Sequence, residues 1–312
     1  MTVSESYLTV QYDLRLAKQI ERRMLVDALL RLSDSHFQIR DYLYTGFGSI
    51  FFIDFILFKK YVGLRRMQSI EHSESIKKRI AFNRPYKDIE LKYGPMSDFI
   101  SELDPDLKHI LWLDYDFHVT REMISDVIAA AAQLSTGSIL LITVDVTQPC
   151  DGGPDDWASY FEDQAGDFVD PPSGPGAFGK PRLPKINAGI LRNAIQNGLT
   201  GRSNLSFLPL FHFLYADGHK MITLGGIIGG SQERHNLGAC DFSDAAYIRR
   251  SFDDLPYEIM PPVLTRKERL YLDSEMPCDD GWKPKDFELD GESVMRYREL
   301  YRYFPLYVES LL

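Results

Sequence analysis

Between Tyr42 and Val144 short apolar runs alternate with amphipathic stretches, and this alternation constrains the fold more than any other feature of the chain. Extended runs at Tyr42–Tyr44, Met67–Ile70, Ile89–Tyr93, His109–Leu113 and Ser138–Val144 are separated by helical runs: from Gly48 to Tyr61, Glu74 to Phe82, Met96 to Leu103 and Thr120 to Leu134. Parallel strands need crossover connections, so strand, helix, strand at this pitch predicts a parallel sheet covered on both faces. Two later apolar runs, Phe207–Tyr215 and Met221–Ile228, flank Ala216-Asp217-Gly218-His219-Lys220. Asp-Gly between extended runs is a hairpin signal, so the α/β sheet is expected to end in an antiparallel pair.

The flanks read differently. From Asp13 to Leu32 the residues Ala17, Ile20, Met24, Ala28 and Leu32 recur at spacings of three and four, with charged residues between them, which predicts an amphipathic helix. Thr147–Lys185 is dense in Gly, Pro and Asp and reads as a long polar loop, expected to act as a lid. Its acids (Asp151, Asp155, Asp156, Glu162, Asp163, Asp167 and Asp170) outnumber its bases (Lys180, Arg182 and Lys185), and Trp157, Tyr160, Phe161 and Phe178 are expected to close over a site. A helix over Ile186–Asn197 follows. In the C-terminal appendage, Thr265 with Glu268 has capping-box spacing and opens a helix to Ser274, and Glu292–Phe304 reads as a helix stopped by Pro305. The expected organisation is a helical segment 1–40, a main domain 41–240 with the insertion 147–185, and an appendage 241–312.

At 312 residues and 44% hydrophobic content the chain can bury a core without disulfides or metals. A formal charge of -10 argues against non-specific nucleic-acid binding. The cluster Lys59, Lys60, Arg65, Arg66, Lys77, Lys78 and Arg79 lacks interleaved stacking aromatics and reads as a solvated face. Cys150, Cys240 and Cys278 are far apart and offer no C-x-x-C spacing, which suits a reducing cytoplasm. No apolar run reaches the ~18 residues of a membrane span. A soluble, cytoplasmic protein is expected.

Gly46-Phe47-Gly48-Ser49 lies where the first strand turns into its helix, and Glu71 ends the second strand. A glycine turn admits a ligand close to the backbone, and a carboxylate at Glu71 can accept hydrogen bonds from both hydroxyls of a ribose. Asp98 is a candidate for an adenine amino group or for a helix N-cap. Asp114, Asp116 and His118, at the end of the fourth strand, are candidate bases.

The order TGFGS, IEHSE, Gly94–Asp98 and LDYD, closed by the hairpin, resembles class I S-adenosylmethionine-dependent methyltransferases across Tyr42–Ile228. More narrowly, LRLAKQIERRM, YTGFGSIFFIDF, SIEHSE, AFNRPY, WLDYD and PYEIMPPVLTRKE resemble a bacterial family of O-methyltransferases over nearly the whole chain. The resemblance implies a Rossmann-like fold and S-adenosylmethionine as cofactor. It places cofactor contacts on Thr45, Gly46, Phe47, Gly48, Glu71, His72, Ser97, Asp98, Asp114 and Tyr115, with the Tyr115 ring or hydroxyl beside the sulfonium. Catalysis would fall to Asp114, Asp116 and His118, with a small molecule or a protein side chain as acceptor. Tyr44 and Ile50 stand where the superfamily has an acid and a third glycine. Dinucleotide dehydrogenases fit less well, since Phe51 occupies their third glycine. Asp114 and Asp145 resemble a Mg²⁺-holding pair, but Val146 replaces the asparagine that would follow, so no metal is expected. His212 and His219 lack a partner at metal spacing. Tyr297, Tyr301 and Tyr303 read as packing or as a homodimer surface. The alternative function is a binding module on the same fold that acts through protein partners.

Overall fold

The computed structural model describes residues 15–72, 74–170 and 177–306. Its strands are β1 (Leu43–Gly46), β2 (Arg66–Glu71), β3 (Ile89–Tyr93), β4 (His109–Asp114), β5 (Ile139–Asp145), β6 (Ser206–Asp217), β7 (His219–Gly229) and β8 (Tyr257–Ile259). They form one sheet in the order β3-β2-β1-β4-β5-β7-β6-β8. The first five are parallel, and β7 runs antiparallel to both β5 and β6. The Asp-Gly tip makes the expected hairpin, with Gly218 at a φ of 100° that favours glycine. β8 was not expected. Its three residues pair with the outer side of β6 and are too short to show an alternating pattern.

The helices are α1 (Leu16–Ser33), α2 (Ile53–Leu57), α3 (Lys77–Asn83), α4 (Met96–Ser101), α5 (Arg121–Gln133), α6 (Pro154–Ala165), α7 (Leu183–Leu199), α8 (Ser231–Gly238), α9 (Arg266–Glu275) and α10 (Gly291–Leu300). One face of the sheet packs on α1, α2 and the C-terminal appendage, through residues such as Leu25, Phe55, Trp112, Tyr247 and Leu300. The other packs on α4 to α7, through Ile100, Val127, Phe161 and Ile190. Tyr297 and Tyr303 are buried in the first of these layers, which favours packing over an exposed surface for both.

Three expectations need correction. First, the segment read as a long loop contains a helix. Pro154 opens α6, and the Asp156 carboxylate accepts the Gly153 N–H (2.8 Å), so the Gly-Pro-Asp run is a helix start and not only a turn. Trp157 and Phe161 are buried in the core, Phe178 stacks on Phe161, and the Tyr160 hydroxyl donates to the Val119 carbonyl (2.9 Å). These aromatics anchor the insertion to the domain and do not stand open above a site.

Second, the charged residues of α1 do not form a solvated face, since Lys18, Glu21 and Arg22 are all buried. The helix lies across the sheet with its N-terminus held by the Asp217 carboxylate, which accepts the N–H groups of Ala17 (3.0 Å) and Lys18 (2.8 Å). An acid at the positive end of a helix is stabilising. Third, α10 stops at Leu300, and the last turn before Pro305 is a tighter 3₁₀ turn, Tyr301–Tyr303.

Candidate functional site

The C-terminal ends of β1, β2, β4 and β5 converge on one edge of the sheet, where open α/β sheets bind ligands. At the end of β2, Ser69 is wholly buried and ties two elements together. Its Oγ accepts the Gly48 N–H (2.9 Å) and donates to Glu71 Oε1 (2.6 Å). Burial raises the Glu71 pKa to about 7, against the opposing pull of hydrogen bonds from Ser69 and from the Gly48 and Ser49 backbone. Ser69 lies inside the SIEHSE motif, but its role was not anticipated.

Both glycines are packed closely by the chain itself. Neither Gly46 nor Gly48 has a positive φ; that conformation falls on Ser49 (53°) and Phe52 (49°). A Cβ on Gly46 would sit 2.6 Å from the Tyr44 hydroxyl, and one on Gly48 would sit 2.5 Å from both the Phe52 ring and Ser69 Oγ. The chain's own side chains fill the space above both glycines.

Phe47, His72, Tyr115 and Phe117 form a connected aromatic group: the Phe47 ring lies 6.3 Å from His72 and 5.8 Å from Tyr115, which lies 5.2 Å from Phe117. The Tyr115 hydroxyl donates to Asp126 Oδ2 (2.7 Å). Burial, then the Asp126 charge, raises the Tyr115 pKa well above that of a free phenol. Thr45 is buried beside the turn, and its Oγ has no hydrogen-bond partner. Ser97 and Asp98 are exposed in the first turn of α4, whose N-cap position is Pro95 and not Asp98. Ser73, quoted in the sequence motif, lies outside the described residues.

Asp114 belongs to a charge cluster assembled from residues far apart in the chain. Lys18 Nζ is 2.8 Å from Asp114 Oδ1, 2.9 Å from Glu21 Oε2 and 3.0 Å from the Tyr215 hydroxyl, and stands 4.5 Å over the Trp112 ring. Arg22 pairs with Asp54 nearby. Burial pushes the Asp114 carboxyl up, but Lys18, Arg22 and Arg15 outweigh it and hold it below the usual range. A carboxylate so held is a weak proton acceptor.

Asp116 and Phe117 are exposed, and His118 is half-buried. His118 Nδ1 lies 3.3 Å from the Asp145 carbonyl and 3.7 Å from its carboxylate. The same carboxylate takes a hydrogen bond from His219 Nδ1 (2.7 Å), so Asp145 brings together two histidines far apart in sequence. His219 had been set aside for want of a partner. Asp114 and Asp145 have separate partners, and among the described residues no group of three or more His, Cys, Asp or Glu is placed to hold a metal ion.

No curated protein matches the sequence. Among solved structures, the chain is similar to Trm1 from Pyrococcus horikoshii in complex with S-adenosyl-L-methionine (14% identity, 77% of this chain, 64% of that chain, TM-score 0.45). It is also similar to the O-methyltransferase TomG from Streptomyces achromogenes, involved in tomaymycin synthesis (18% identity, 72% and 94% of the two chains, TM-score 0.38). A third is the O-methyltransferase from Bacillus cereus (14% identity, 66% and 80%, TM-score 0.36). The matched part spans less than two thirds of the Pyrococcus protein. Residues 10–312 match the family model described as "Putative O-methyltransferase". Since that match takes in nearly the whole sequence, the chain belongs to this O-methyltransferase family.

Proposed function

We propose that the edge formed by β1, β2 and β4 holds S-adenosylmethionine, and that the methyl group passes to an oxygen of a small molecule or a protein side chain. The observation that carries this reading is Glu71, a buried carboxylate at the end of β2, oriented by Ser69 and joined through it to the turn after β1. Such a group fits the two ribose hydroxyls. In this reading Ser97 and Asp98 meet the adenine, and Phe47, His72 and the Tyr115 ring line the cofactor, in keeping with the grouping of these three rings. When bound, the cofactor supplies an electrophilic methyl on a sulfonium.

The chain's own contribution is alignment and proton removal. Of the three candidate bases we favour His118, because Asp114 is spent on Lys18 and Asp116 is exposed. The acids of the insertion, Asp151, Asp155, Asp156, Glu162, Asp163, Asp167 and Asp170, are all exposed, which favours neutral or cationic acceptors over phosphate-rich ones. Among the described residues no helix is long and apolar enough to cross a membrane, and free Cys150, Cys240 and Cys278 suit the cytoplasmic setting we propose.

Calorimetry with S-adenosylmethionine and S-adenosylhomocysteine, followed by a product assay, tests the reading. No binding of either would sink it. The rival is a module on the same fold that binds the nucleoside without transfer. Tight binding with no turnover on any acceptor would select the rival.

A further inference from the structure

We infer that Asp145 and His219 are positioning residues for His118, and that β4, β5 and β7 together build a His-Asp-His cluster whose free His118 nitrogen is the general base. The inference rests on the reading of the protein as a methyltransferase acting on oxygen. Its structural part stands on distances alone. The Asp145 N–H donates to the Phe117 carbonyl (3.2 Å), which clamps the segment after β4 onto the end of β5. His118 then faces Asp145, with Nδ1 3.3 Å from the backbone carbonyl and 3.7 Å from Oδ1. A carbonyl oxygen can only accept, so the proton sits on Nδ1 and Nε2 keeps its lone pair. The His118 side chain is 26% exposed, so part of the ring is open to solvent.

Asp145 is itself fixed. Its side chain is 4% exposed, Oδ1 accepts the Thr147 N–H (2.7 Å) and hydroxyl (2.6 Å), and Oδ2 accepts His219 Nδ1–H (2.7 Å). His219 reaches this position because Gly218 reverses the chain one residue before it, at the tip of the β6–β7 hairpin. The backbone carbonyl of Asp145 thus sets the His118 tautomer, while its carboxylate, 3.7 Å away, stabilises the imidazolium by charge, as the acid beside a catalytic imidazole does. The cluster matters for a hydroxyl acceptor, because a carboxylate acceptor is already ionised at neutral pH and needs no base. In the step, the acceptor O–H proton moves to His118 Nε2, the new oxygen–methyl bond forms, and the methyl–sulfur bond breaks. Its electron pair stays on sulfur, and S-adenosylhomocysteine leaves. The imidazolium then returns its proton to solvent.

The test is ¹⁵N–¹H NMR of the full chain carrying labelled histidine, which reads the tautomer of each imidazole without any ligand or acceptor. The expected result is that neutral His118 and His219 both carry the proton on Nδ1. In Asp145→Ala, His219 should lose that preference, while His118 retains it through the backbone carbonyl. A proton on His118 Nε2 in the wild type overturns the inference, because the basic nitrogen would then face Asp145 and not the crevice. An unchanged His219 in Asp145→Ala overturns its link to Asp145. Should that variant fail to fold, the wild-type spectrum still decides the assignment of His118. Calorimetry with S-adenosylmethionine on the wild type and on His118→Ala separates this result from the reading beneath it. Loss of binding only in His118→Ala would place His118 in the cofactor site and overturn its role as base, whereas no binding to the wild type would defeat the methyltransferase reading and leave the tautomers standing.

Discussion

Replacing Glu71 with Gln tests the cofactor site and the electrostatics of the fold in one variant. The carboxyl is almost wholly buried, and its pKa is raised from 4.5 to about 7. An acid whose folded pKa is raised binds more protons in the native state than in the unfolded one. The stability linked to it is therefore fully present below the unfolded value of 4.5 and is lost as the pH rises through about 7. Taken at face value the interval is worth about 3 kcal/mol, as an upper figure. Gln has no charge to bury, so Glu71→Gln should match the wild type near pH 4 and exceed its stability at pH 8 by up to about 3 kcal/mol. Cofactor binding should move the other way. Ribose hydroxyls donate best to the ionised carboxylate, so wild-type affinity for S-adenosylmethionine should climb roughly tenfold between pH 6 and pH 8 and then level off. Glu71→Gln should remove that slope and weaken binding at pH 8 by about 1.5 to 3 kcal/mol, the scale of hydrogen bonds to a charged group. Urea unfolding at pH 4 and pH 8, with calorimetry from pH 6 to pH 8, measures both. A wild-type affinity that is flat across this range, or a Gln variant that binds as tightly as the wild type, would refute the assignment.

The remaining expectations concern the parts around that carboxylate. Lys18→Met should leave Asp114 and Glu21 buried without their shared cation and cost about 3 to 5 kcal/mol in chemical denaturation; a loss under about 1 kcal/mol would mean the cluster is hydrated. Gly48→Ala should lower the melting temperature, with overpacking against Phe52 and Ser69 worth about 1 to 3 kcal/mol, and a variant of native stability would show that the turn has room. Phe161→Ala should cost about 3 to 5 kcal/mol, and hydrogen exchange should show α6 amides protected without cofactor; rapid exchange there would restore the reading of the insertion as an open lid.

Elements that announce themselves through local periodicity were readable from sequence. The five parallel strands, α5 and the hairpin each carry a short apolar run, a helical spacing or a turn dipeptide, and none of these signals depends on distant residues. What failed depended on partners elsewhere in the chain. α6 was missed because its apolar residues are few, and its stability comes from burying Trp157 and Phe161 against residues outside the segment. β8 exists only because β6 offers an open edge. The charges of α1 were read as solvent-facing because a spacing pattern reports which residues share a face. It does not report whether that face meets water or another ion.

The candidate site divides along the same line. Glu71 could be placed from sequence because its position at a strand end is a local fact. Asp114 was placed correctly at the end of β4, but its value as a base could not be judged there. That value depends on Lys18, 96 residues away in the chain, which lies 2.8 Å from it. His118 and His219 show the converse. His118 reads from sequence as a candidate base beside Asp114 and Asp116, and His219 as a residue without a partner at metal spacing, and neither reading defines a tautomer. Asp145, at the end of β5, supplies what both lack, because β4 and β7 are its two neighbours in the sheet and each delivers a histidine to its edge. Chain order conceals that neighbourhood, since β7 follows β6 in sequence yet inserts between it and β5. The strand swap that sets β7 antiparallel between β5 and β6 is thus also what carries His219 to Asp145.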